Sequence, residues 1–170
     1  MNYQTSEMKK VLIITYYFPP AGGPGVQRWL KFTKYLPDFG IQPIVYIPEN
    51  PTYPIIDEEL QNEISDRVII LKKKIFEPYS LASFFSKNKT KKISSGIISS
   101  TKKQTILEKI FLWVRGNLFI PDARVFWVKP SVSYLEKYIK ENSITTVITT
   151  GPPHSLHLIG LQPKNRLDIK

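Results

Sequence analysis

A chain of 170 residues, 42% of them hydrophobic, suffices for one domain with a real core and gives no sign of two. It has no cysteine, hence neither a disulfide framework nor a thiolate metal site, and a reducing compartment is the natural reading. The net charge of +10 is local, with nine lysines and a single acid, Glu77, between Lys72 and Lys103, and no apolar run reaches the length of a membrane span.

Residues 1–8 read as a disordered start. Lys9-Lys10 before an apolar run mimics a signal peptide, but the run is short and meets Pro19-Pro20 instead of a small-residue cleavage site, which argues against one. Val11 to Tyr16 is a continuous β-branched and aromatic run, the pattern of a strand buried on both faces of a parallel sheet. The turn Phe18-Pro19-Pro20-Ala21-Gly22-Gly23-Pro24-Gly25 ends it. A helix then begins near Val26, with Val26, Trp29, Leu30 and Leu36 on one face and Gln27, Arg28, Lys31 and Lys34 polar, closed by Pro37 and Gly40. Strand, glycine-rich turn and helix start together make an anion site, because unpaired N–H groups and the positive end of the helix dipole converge there. Gly22, Gly23 and Gly25 would form its floor, and Arg28 is long enough to reach a bound phosphate. A Walker loop is excluded by the lack of a Lys-Ser or Lys-Thr pair after the glycines. A dinucleotide fingerprint would want a third glycine where Arg28 stands, although Glu49 could serve as its ribose-binding acid.

Pro43 to Ile47 reads as a second strand, Asp57 to Ile64 as a short acidic helical piece and Val68 to Leu71 as a third strand. Alternation of this kind means βαβ units, a parallel sheet and right-handed crossovers. Between Lys72 and Lys103 the rhythm breaks into a short helix near Pro78–Phe85 and a flexible basic loop over residues 86–104. Thr105 and Glu108 form a capping box for a strongly apolar helix, Ile106–Arg115. Asp122 and Arg124, expected to be a local ion pair, precede a helix kinked or broken at Pro130, with Tyr134, Leu135, Tyr138 and Ile139 facing the core. Ile144 to Thr150 is the fourth strand, after which Gly151-Pro152-Pro153 leads to a last helix begun by His154 and Ser155 and ended by Pro163. Leu167 to Ile169 reads as the start of a fifth strand, the chain stopping inside it as a truncated domain would. In an open α/β sheet ligands bind beyond the carboxyl ends of the strands, so the glycine turn and His154 belong on one rim. His157, one turn on, lacks the third protein ligand that zinc requires.

The run YYFPPAGGPGVQRWLKFTKYL resembles the opening of the bacterial family 4 glycosyltransferases, two-domain GT-B enzymes. The likeness is strongest over residues 11–40 and returns over residues 144–161, where TTGPPHS aligns His154 with a histidine beside the transferred sugar. It implies a Rossmann-like, doubly wound parallel sheet flanked by helices, forming the acceptor-side half of a GT-B enzyme across residues 1–170. It also implies Gly22, Gly23, Gly25 and Arg28 around the donor diphosphate and His154 as the catalytic residue. No cofactor or metal is implied; a nucleotide sugar is the substrate and a cell-envelope glycan or lipid-linked molecule the acceptor. The further partners implied are a missing C-terminal Rossmann domain and an anionic membrane surface, with the chain cytoplasmic and peripheral on the inner face of the cytoplasmic membrane. Retaining members carry two glutamates eight positions apart in the second domain, and no two glutamates here have that separation. The rival readings are a small NAD(P)-binding module and a non-enzymatic basic adaptor for nucleic acid or membranes. Nucleic acid is disfavoured because Phe84 and Phe85 cluster apart from the Lys87–Lys103 run.

Overall fold

The computed structural model describes residues 8–76, 113, 117, 120–167, 169 and 170. Four strands, β1 (Lys9–Thr15), β2 (Ile41–Pro48), β3 (Ile69–Lys73) and β4 (Thr146–Thr150), form one sheet in the order β3-β2-β1-β4. Every pairing is parallel, with Leu12 opposite Ile44 and Val147. Among the described residues, the helices α1 (Pro24–Tyr35), α2 (Val125–Glu141) and α3 (Ser155–Arg166) accompany it.

The alternation of side chains along a strand sends this sheet's apolar residues to two separate cores. Leu12, Ile14, Tyr16, Ile44 and Tyr46 pack against Trp127, Val132 and Leu135 of α2 and Leu156 and Ile159 of α3. On the other face Val45 and Ile47 meet Val26 and Leu30 of α1 together with Phe18, Ala21 and Leu60. Helices therefore cover both faces, and the doubly wound, Rossmann-like α/β architecture expected from the alternation of elements is present. No helix among the described residues is long and apolar enough to cross a membrane.

Several boundaries differ from the sequence reading for local reasons. Helix α1 begins at Pro24, two residues before Val26, because a proline at the first helical position lacks only a donor that would be unpaired anyway. Strand β2 runs from Ile41 to Pro48, beyond the expected Pro43 to Ile47 at both ends, and Pro43 is tolerated within it because it precedes the start of β3 pairing at Ile44, where one side of the strand is still unpaired. The acidic piece is a 3-10 helix, Glu58–Glu63, anchored by buried Leu60. Strand β3 takes in Lys72 and Lys73, so part of the lysine run belongs to an edge strand, with the Lys73 ammonium 5.0 Å from the centre of the Tyr134 ring. Neither internal proline breaks its helix. Pro130 lies inside α2, which Trp127, Val128, Ser131, Leu135 and Ile139 bury along its length, and Pro163 lies inside α3 instead of ending it. Each deletes one backbone donor, a loss that burial of the helix face offsets.

After α3 the chain returns to the sheet. The Lys170 N–H donates to the Thr145 carbonyl at 2.9 Å and the Lys170 carbonyl accepts from Val147 at 3.0 Å, a parallel rung on the outer side of β4 where a fifth strand was expected. The helix expected at 78–85 and the loop at 86–104 fall on residues outside those described, as does the helix expected at 106–115 apart from Trp113.

Candidate functional site

Strands β1 and β4 lie side by side, but the chain leaves β1 into α1 on one face of the sheet and leaves β4 into α3 on the other, so the loops beyond their carboxyl ends part there. This is the switch point at which open α/β sheets take ligands. A cavity of about 360 Å³ occupies it, walled by Gly22 to Gly25 and Arg28 on the α1 side and by Thr150, Gly151 and Pro152 on the β4 side. That volume lies in the range of small-molecule sites.

The glycine loop is held from outside. The Gly22 N–H donates to the Ile55 carbonyl (3.0 Å), the Asp57 N–H donates to the Pro20 carbonyl (2.8 Å), and Ala21 and Ile56 form an antiparallel bridge. A side chain at Gly22 would force its neighbours to shift, since an added Cβ would stand 2.8 Å from Ile55 Cγ2. Gly23 caps α1 with φ 116° and ψ 166°, a conformation open to glycine and costly for other residues. Its carbonyl accepts from the N–H groups of Val26 and Gln27 at 3.1 and 3.2 Å. Among the described residues the N–H groups of Gly23 and Gly25 have no partner, and Pro24 between them has none to offer. The cradle is thus narrower than the sequence suggested: Gly22 spends its N–H inside the protein, leaving two donors, the α1 dipole and the exposed Arg28 guanidinium.

Trp29 has a different role from the core residue expected. It is half-buried, and its Nε1–H donates to Thr150 Oγ1 at 2.8 Å, a bridge between α1 and the end of β4. Tyr17, just past β1, lines the same cavity. Neither was singled out as a site residue; a tryptophan one turn past a glycine loop and a threonine before Gly151 were the available signals.

His154 begins α3 on the same rim and is exposed, but it is not among the residues lining the cavity. His157, 6.1 Å away ring to ring, comes nearer to the cavity's edge: its Nδ1 is 2.8 Å from Thr149 Oγ1, and a Cβ on Gly151 would lie 3.0 Å from its Nε2. No cluster of three metal-ligating side chains occurs among the described residues. Glu49 is exposed past β2, its N–H bonded to the Lys73 carbonyl, and does not line the cavity.

The expected Asp122–Arg124 ion pair is replaced by a tertiary arrangement. Asp122 accepts from the Ser155 N–H and hydroxyl, both at 2.8 Å, and from the Arg124 backbone N–H at 2.8 Å, fastening the start of α3. The Arg124 guanidinium instead lies over the Tyr16 ring, 4.9 Å from its centre. A carboxylate finds better donors at an open helix start than in a flexible neighbour's side chain.

No family model, no curated protein and no solved structure matches this chain.

Proposed function

We propose that the chain is the acceptor-side Rossmann-like domain of a glycosyltransferase that moves a sugar from a nucleotide sugar to a cell-envelope glycan or lipid-linked acceptor. The observation that carries the reading is the switch-point cavity, at whose wall the free N–H groups of Gly23 and Gly25 and the Arg28 side chain meet. Gly25 strengthens it: helical, with no atom within 4 Å of an added Cβ, it answers no need of the fold, whereas a ligand at the backbone would require it. The family likeness of YYFPPAGGPG and TTGPPHS supplies the chemical identity of that ligand, a sugar-nucleotide diphosphate.

In such a transfer the bond between the anomeric carbon and the diphosphate oxygen breaks, and the leaving group gathers negative charge. Fixed N–H dipoles and a guanidinium stabilise that charge better than reorienting water does. With only two backbone donors, this wall holds the diphosphate from one side; the donor base and ribose fall to a second domain. His154, on the rim, is assigned to the acceptor side of the reacting sugar.

The test is calorimetric titration of the chain with a nucleoside diphosphate, the matching nucleoside and NAD. The expected order is diphosphate well above nucleoside, with Arg28→Gln weakening the diphosphate about tenfold. Equal binding of nucleoside and diphosphate would overturn the anion site, and preferential binding of NAD would favour the dinucleotide module. Residues 1–170 alone are expected to transfer no sugar, since positioning both reactants is what makes the reaction effectively unimolecular. Turnover by the pure chain would remove the half-enzyme part of the reading.

A further inference from the structure

Helix α1 buries Val26, Leu30 and Thr33 against the sheet, while Phe32 and Tyr35 on its outer side are 53% exposed. Phe39, on the 3-10 turn Leu36–Phe39 that continues the helix, is 79% exposed. The three aromatics line a surface depression of about 640 Å³ that Arg28, Lys31 and Asp38 border. Its centre is fixed, because the Phe32 ring rests against Trp29, 5.7 Å centre to centre, and Trp29 is tied to Thr150. Charge on this face is mixed and arranged by position, with Arg28 at one end and Asp38 at the other. Glu63 engages Lys31, and Arg67 takes only Oδ1 of Asp38; among the described residues Asp38 Oδ2 has no partner and Arg28 enters no ion pair. Positions 28, 32, 35 and 39 follow at intervals of four, three and four, the spacing of a seam along which two helices interlock side chains. Those intervals read the same in both directions.

We propose that this face is the two-fold interface of a homodimer, in which the α1 helices of two copies lie antiparallel. The symmetry sets Phe32 of each copy against the partner's Tyr35, and Arg28 of each against the partner's Phe39 and the partner's Asp38. A two-fold interface requires a patch that complements itself. Here the cation at one end meets, in the second copy, an aromatic ring and a carboxylate with an oxygen to spare, so a cation–π contact and an ion pair are each made twice. An aromatic centre with a charged rim of both signs is also the make-up of protein interfaces. The net charge of +10 repels a second copy at long range, an opposition that salt at about 0.15 M, with a screening length of about 8 Å, largely removes. Arg28 also walls the switch-point cavity, so dimerisation brings the partner's Asp38 to the edge of that cavity. The interface does not depend on what the cavity takes.

The experiment is sedimentation equilibrium of the full chain over a concentration series at about 0.15 M salt, for wild type, Phe39→Ser, Arg28→Asp, Asp38→Arg and an equimolar mixture of the last two. Wild type is expected to pass from monomer to dimer, with dimerisation about tenfold weaker in each single variant. The mixture is expected to regain the dimer, because a heterodimer of Arg28→Asp with Asp38→Arg restores both opposite-charge pairs that each variant loses with itself. Unchanged circular dichroism shows that the variants fold; should Asp38→Arg unfold for want of its Arg67 pair, Phe39→Ser and Arg28→Asp carry the comparison. A wild type that stays monomeric throughout, a dimer that Phe39→Ser leaves intact, a mixture of folded variants no tighter than its components, or growth past the dimer would overturn the proposal.

Discussion

Gly22, Gly23 and Gly25 share one loop, yet different forces select each of them, and substitution separates those forces. Alanine at Gly22 meets Ile55 Cγ2 at 2.8 Å and Asp57 Cβ at 3.3 Å, and at Gly23 it must adopt φ 116°. The first is expected to cost about 1 kcal/mol and the second about 1–3 kcal/mol of stability. Gly25→Ala behaves oppositely: in a helical turn with open space it is expected to gain up to about 1 kcal/mol while weakening nucleoside diphosphate binding. Denaturant unfolding read beside calorimetric titration checks both signs. If Gly25→Ala leaves diphosphate affinity intact, the N–H groups of the loop do not hold the ligand.

The elements around the cavity are fixed by a few cross-links whose loss is local. Asp122 closes the start of α3 through two bonds to Ser155, so Asp122→Ala should lower stability by about 1–2 kcal/mol, with Asp122→Asn intermediate, in chemical denaturation. Helix α3 also approaches β4 closely. A Cβ on Gly160 would lie 2.4 Å from Thr149 Cγ2, and Gly160→Ala should cost about 1–3 kcal/mol. Thr149→Ser removes that methyl and keeps the hydroxyl that pairs with His157, so the double variant Gly160→Ala/Thr149→Ser should recover most of the loss. Recovery identifies the clash as the cause; additive losses would show that α3 is displaced by something else.

For the molecule as a whole, the core between the sheet and α2 contains a titratable group. Tyr46 is fully buried, stacks on Trp127 with ring centres 5.2 Å apart and donates its hydroxyl to Ser131 Oγ at 2.7 Å. Burial, the leading cause, pushes its pKa from 10.0 up to about 12. Because the folded state holds this proton more tightly than the unfolded chain, its contribution to stability is complete below pH 10.0 and is lost as pH rises toward about 12. Stability should therefore fall across that window in wild type and less steeply in Tyr46→Phe, measured as urea midpoints at a series of alkaline pH values. Parallel curves for the two proteins would mean that other groups govern alkaline unfolding.

The continuous apolar run at Val11 to Tyr16 was enough to assign a strand covered on both faces, which has no polar side to show, and the β-branched richness of Ile144 to Thr150 was enough to assign a half-buried one. The glycine turn was legible for a similar reason, since few other residues can follow a buried strand so closely into a helix. Local pattern could not reveal that Gly22 spends its N–H on Ile55, that Trp29 bridges to Thr150 or that Asp122 prefers Ser155 to Arg124, because each partner lies 33 to 121 positions away in the chain. The survival of α2 and α3 through Pro130 and Pro163 was likewise decided in three dimensions, where burial of a whole helix face outweighs one lost hydrogen bond. Composition and periodicity thus determined the order and kind of the elements, whereas which donors remain free at the β1–β4 switch point depends on contacts that exist only once the chain has folded.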